Sequence, residues 1–70
     1  MDADAAARIA KKVAESEIKG VMGRIKASAN IGDMHRVEYM KLSDAAVGHL
    51  EDLGYTVSYD EETNKTTIRW

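Results

Sequence analysis

The sequence predicts an α+β domain in which helices pack on one face of a small antiparallel sheet. Three observations carry this. Residues 2–30 contain no proline and are rich in Ala, Lys, Glu, Arg and Ile, a composition that favours helix. Ser43-Asp44 precedes Val47, Leu50 and Leu53 at helical spacing and Gly54 follows, which reads as a capped helix with a glycine stop. Last, Tyr55-Thr56-Val57-Ser58-Tyr59 and Thr66-Thr67-Ile68-Arg69-Trp70 flank a polar turn, the pattern of a β-hairpin. The expected order is an N-terminal helix, a short strand, a second helix and a C-terminal hairpin.

Asp2 and Asp4 suit the cap and first turn of the N-terminal helix, where carboxylates meet the positive end of the helix dipole. The apolar phase then shifts. Ile9 and Val13 share one face, while Ile18, Met22, Ile25 and Ala29 share another, about opposite at ~100° per residue. The helix is therefore either continuous with two apolar stripes or broken near residue 16, with Ser16 as a second cap. Residues 1–16 read as a helical extension and residues 17–70 as the compact α+β core of a single domain, 1–70. Gly20 and Gly23 each cost a helix interior ~1 kcal/mol relative to alanine, and glycine permits close approach of another backbone. Gly20-Val21-Met22-Gly23 has the spacing of a KH-type GXXG loop, but its middle residues are apolar rather than basic.

Asn30-Ile31-Gly32-Asp33 ends the first helix, because Asn or Gly takes the left-handed conformation readily. His35–Met40 alternates and reads as a strand, with Val37 and Tyr39 toward the core and Arg36, Glu38 and Met40 outward. In the hairpin, setting Asp60 opposite Lys65 leaves Glu61-Glu62-Thr63-Asn64 as the turn, with Asn64 at positive φ. The same register pairs Tyr59 with Thr66, Val57 with Ile68 and Tyr55 with Trp70 on one face. The expected core is Ile18, Met22, Ile25, Val37 and Tyr39 with Val47, Leu50, Leu53, Val57, Ile68 and Trp70.

Seventy residues lie near the lower limit for independent folding, where a core contributes only ~3–5 kcal/mol. The chain has no cysteine and two histidines, so disulfides and thiolate metal sites are excluded. Self-association is the remaining supplement to the core. No stretch of ~18 apolar residues exists to span a membrane, and Met1-Asp2-Ala3-Asp4 is unlike a secretory signal. The expected setting is intracellular. The first thirty residues carry six cations against four carboxylates and the other forty carry four against eight, a polarity that can steer head-to-tail association or attract an anion to one end, against the plainer reading of two solvated faces screened by salt.

No catalytic constellation, metal motif or cofactor site is expected, and the protein reads as a non-enzyme. His35 and His49 are surface residues in this reading, and Asp60-Glu61-Glu62 is a solvated turn. The candidate ligand or partner site is cationic: Arg24, Lys26, Arg36 and Arg69, with Arg36 and Arg69 side by side on the outer sheet face, where two guanidinium groups hold phosphate or carboxylate. The candidate oligomer interface is Ile9, Val13, Gly20 and Gly23.

The residues Ile25, Ala29 and Gly32, the strand tyrosine Tyr39, Leu42-Ser43, Leu50, Leu53-Gly54-Tyr55-x-Val57, Asn64 and Ile68-x-Trp70 together resemble small proteins of tailed bacteriophages, some virion proteins among them. The resemblance covers about residues 17–70 and consists of caps, stops and core positions. It implies a phage accessory protein that acts by binding, in the host cytoplasm or the virion, and it carries over no functional residue. Three function classes follow. The first is a non-enzymatic homo-oligomeric interaction protein, either a virion component or a binder of a host factor. The second is a counter-defence protein that sequesters an anionic nucleotide signal. The third is a winged-helix-like DNA binder, disfavoured because residues 44–53 carry Asp44, Glu51 and Asp52, which would face phosphates.

Overall fold

The computed structural model describes all seventy residues. Two helices and a three-stranded antiparallel sheet follow in the order α1 (Ala3–Asn30), β1 (His35–Glu38), α2 (Asp44–Asp52), β2 (Thr56–Asp60) and β3 (Lys65–Arg69). The fold is α+β, with the C-terminal strands packed on the helices. No helix is long and apolar enough to cross a membrane.

α1 is continuous, which settles the choice left open by its two apolar stripes. Asp2 caps it, accepting a hydrogen bond from the Ala5 amide at 2.8 Å. Ser16 lies mid-helix and caps nothing. Nothing in Ala3–Glu15 opposes helix: the run is alanine, long polar chains and two β-branched residues. Gly20-Val21-Met22-Gly23 is helical, with Val21 fully buried, so it forms no backbone-clamping loop. α1 ends in a Schellman motif. Gly32 takes φ +89°, its amide donates to the Ala29 carbonyl, and the Asp33 amide donates to the Ser28 carbonyl, both at 3.0 Å. These bonds satisfy carbonyls that would otherwise have no partner.

α2 repeats the device. Gly54 takes φ +97°, and the Gly54 and Tyr55 amides donate to the Glu51 and Leu50 carbonyls at 3.0 Å. At its start, Ser43 Oγ accepts from the Ala46 amide at 3.2 Å. The Ser43 amide and hydroxyl both donate to Glu17 Oε1 of α1, at 2.9 and 3.1 Å. In a capping box a glutamate three residues into the helix serves the cap amide. Here position 46 is alanine, and a glutamate from the neighbouring helix does that work, tying α2 to α1.

The sheet order is β1-β3-β2. The hairpin register is as the sequence predicts: Asp60 opposite Lys65, Tyr59 opposite Thr66 and Val57 opposite Ile68. Asn64 has φ 54° and accepts the Tyr59 hydroxyl proton at 2.7 Å. Tyr55 and Trp70 continue this face as an edge-to-face pair, with ring centroids 6.0 Å apart, the preferred aromatic geometry.

The phase of β1 reverses the expectation. Arg36 lies opposite Ile68 and Glu38 opposite Thr66, so these charged residues share the inward face with Ile68 and Thr66. Glu38 is 5% exposed while Tyr39, expected in the core, is 74% exposed, and Val37 sits half-covered on the outer face. Leu53, also expected in the core, is 55% exposed, because the helix turns into its cap at that residue.

The buried apolar core is Val21, Ile25, Leu42, Ala46, Leu50 and Ile68, with Ile18, Met22, Val47, Val57, Tyr55 and Trp70 packed around it. Leu42 plugs the loop between β1 and α2 and Thr66 Oγ1 donates to the Met40 carbonyl at 2.7 Å. Only nine of seventy residues are buried, so each core side chain carries a large share of stability. Ile68→Ala is expected to cost ~2–4 kcal/mol, most of the ~3–5 kcal/mol such a core supplies. Ile9→Ala, on the uncovered part of α1, should shift stability by under ~0.5 kcal/mol. Urea denaturation of the two variants checks the contrast.

Candidate functional site

The four candidate cations do not converge. Arg24 reaches from α1 to the sheet and donates from Nε to Glu38 Oε1 at 2.5 Å. Arg36 faces the same carboxylate, with Nε 3.8 Å from Glu38 Oε2 and without a hydrogen bond. Glu38 is thus a carboxylate placed between two guanidinium groups, and its burial is tolerable only because it is paired. Arg69 lies opposite His35 and Thr56, on the other face of the sheet from Arg36. The expected pair of outward arginines is therefore not present, since the reversed phase of β1 turns Arg36 toward the helices. Lys26 is exposed at the rim of a cleft with Met22, Ile25, Ala29 and Tyr55, away from the other three.

Nor do acidic or histidine side chains gather. No group of three or more His, Cys, Asp or Glu is placed to hold a metal ion. The outer sheet face carries a shallow cleft of about 420 Å³ lined by Val37, Tyr39, Ser58, Lys65 and Thr67 among others. Lys65 Nζ lies 5.3 Å from the Tyr39 ring centroid, a cation–π contact that occupies the one cation in the cleft.

The outward face of α1 differs. α1 is 28 residues long, about 42 Å at 1.5 Å per residue, and accounts for nearly all of the molecule's 45 Å length. Its inner face becomes covered only from Ala14 onward, and its first fully buried residue is Val21. The radius of gyration is 13.4 Å, against ~11 Å for a compact chain of this size. Residues 3–13 form an arm extending past the core. On it Ile9 is 50% and Val13 61% exposed. Gly20 and Gly23 continue the same face. A Cβ at Gly20 would meet only the Arg24 guanidinium tip at 3.3 Å, and one at Gly23 would meet nothing within 4 Å. Packing inside this chain therefore gives Gly23 no reason to be glycine, although it weakens the helix by ~1 kcal/mol relative to alanine.

The sequence reading names Ile9, Val13, Gly20 and Gly23 on this face, and the structure places Ser16 and Ala27 beside them. Their spacing was readable. What hid them is that serine and alanine carry no apolar signal of their own. In comparisons with known proteins, no family model, no curated protein and no solved structure matches the chain.

The two kinds of charged residue should respond differently to truncation. Glu38→Ala leaves two guanidinium groups unpaired against the sheet and is expected to cost about 2 kcal/mol, less than a fully buried pair because Arg24 is partly solvated. Arg69→Ala should stay within ~0.5 kcal/mol of the parent. Denaturation midpoints of both variants measure this.

Proposed function

We propose that this protein is a non-enzymatic, phage-type accessory protein that acts by binding, as an assembly of copies joined through α1. One observation carries the reading: Ile9 and Val13 stand exposed on a helical arm, residues 3–13, of which every residue but Ala5 is exposed. Large apolar side chains on an ordered, uncovered helix mark an interaction surface. The phage setting comes from the resemblance of residues 17–70 to small tailed-phage proteins. The partner beyond the assembly is a host or virion protein.

The nucleotide-sequestering alternative loses its main support, because Arg24 and Arg36 are engaged by Glu38 and Arg69 lies on another face. DNA reading by α2 with the hairpin as a wing has a suitable adjacency but the wrong charge. Asp44, Glu51 and Asp52 on α2 and Asp60, Glu61 and Glu62 at the hairpin turn oppose a phosphate backbone.

Static light scattering across a concentration series tests the proposal. The parent chain should show a mass above that of one copy, and Ile9→Glu with Val13→Glu should return it to one copy with helicity retained by circular dichroism. A parent chain that stays at the mass of one copy up to millimolar concentration overturns the reading.

A further inference from the structure

We infer that α1 pairs with α1 of a second copy in antiparallel orientation and in one defined register. The inference rests on the self-association proposed above and gives it a geometry. Positions 9, 13, 16, 20, 23 and 27 are spaced alternately by four and three residues. That is the repeat of a coiled-coil seam, in which knobs of one helix enter holes of the other. All are exposed except Gly20, which is half-covered because the Arg24 guanidinium lies across it. The seam is on the side of α1 turned away from Val21, Ile25 and the core.

The distribution of bulk along the seam sets the orientation. The large residues, Ile9 and Val13, are in the first half. The second half has Gly20, Gly23 and Ala27. In a parallel pair, isoleucine would meet isoleucine at one end and glycine would meet glycine at the other, leaving the C-terminal half without side-chain contact. In an antiparallel pair whose facing residue numbers sum to 36, Ile9 faces Ala27 of the second copy, Val13 faces Gly23 and Ser16 faces Gly20. Every layer then joins a larger residue to a smaller one, the complementarity that packs facing helices without gaps. This gives Gly23 the function that its own chain does not: a Cβ there would stand against the Val13 of the second copy.

The same orientation fits the shape. Each arm lies along the covered half of the other α1, and the two bodies sit at opposite ends, each on the far side of its helix from the seam. In this register residues 6–30 of the two helices overlap, about 37 Å, and a helix ~11 Å across, covered over somewhat under half its circumference along that length, buries on the order of 550 Å². The two copies together reach ~1,100 Å², just above the ~1,000 Å² that a specific interface needs. Lys12, Lys19 and Lys26 run along one flank of the seam. The register sets Lys19 near Lys19 of the second copy and Lys12 near Lys26. Association should therefore tighten as salt screens this repulsion.

The chain has no cysteine, so single cysteines report the register directly. Val13→Cys and Gly23→Cys are made separately, both at exposed positions, and circular dichroism verifies each fold. Mixed and oxidised, they should form a disulfide between the two variants, since facing seam positions come within the ~4.4–6.8 Å between Cα atoms that a disulfide requires. Neither variant alone should link to itself, because two copies of residue 13 lie ~15 Å apart along the axis. Self-linking of Val13→Cys overturns the antiparallel register. A parent chain that dimerises by light scattering while the mixed pair fails to cross-link overturns the seam and leaves the proposed self-association standing. A strictly single-copy parent overturns both. Weakening of the dimer with added salt counts against this register, and several-fold tightening supports it.

Discussion

Glu38 is a carboxylate buried at the junction of α1 and the sheet, and the placement of β1 follows from it. A buried carboxylate needs partners for its charge and its lone pairs. Arg24 supplies one from the helix and Arg36 supplies another from two residues earlier in the same strand. Since side chains alternate across a strand, fixing Arg36 and Glu38 inward sends Val37 outward. The loop then carries Tyr39 into solvent, where Lys65 lies over its ring. The edge strand is thus seated by charge pairing, while the centre of the sheet is seated by Ile68 and Thr66. Gly20 has a part in this as well. A Cβ at that position would crowd the Arg24 guanidinium at 3.3 Å, so glycine leaves it room beside the helix as it reaches Glu38.

The rest of the body is a small apolar centre with well-made ends. Two glycine-closed helix termini, a serine cap shared with Glu17 and a tight hairpin satisfy most of the backbone that six buried apolar residues cannot shield. In a chain this short such terminal devices, worth ~0.5–2 kcal/mol each, are comparable to the whole net stability. Glu17 is the last of them toward the N-terminus. Beyond it, α1 continues for about four turns on helix propensity and the Asp2 cap alone.

Much of this was legible in the sequence because it rests on local rules. Asp2, Ser43, Gly32, Gly54 and Asn64 each occupy a position whose backbone geometry selects a narrow set of residues, so the helix ends and the hairpin register could be read in advance. The phase of β1 could not. Its alternation was visible, but assigning the apolar side inward assumes that Arg36 and Glu38 seek water, and the reason they do not is Arg24, fourteen residues before Glu38. Val21, Leu42 and Ala46 were missed as core for a related reason. Their burial comes from how α1, the β1–α2 loop and α2 converge, which no single segment records. The candidate site was split in the same way. The outward stripe of α1 is a local periodicity and was read, whereas the arginine cluster presumed a tertiary adjacency that the strand phase removes.

Two unfavourable terms remain on α1, and they lie on one surface. Ordering residues 3–13 as helix costs backbone entropy of ~1–2 kcal/mol per residue before hydrogen bonding offsets it, and inside this chain no burial adds to the offset. Keeping glycine at position 23, where a methyl group would meet nothing, weakens the same helix further. A sequence shaped only for the monomer would shorten the arm and place alanine at 23. Covering the seam with a second helix addresses both terms, because it buries Ile9 and Val13 and turns the missing Cβ of Gly23 into space for a neighbour's side chain. The charge pattern agrees with this division of labour. Arg24 is retained for the fold by Glu38, while Lys12, Lys19 and Lys26 run beside the stripe without entering it.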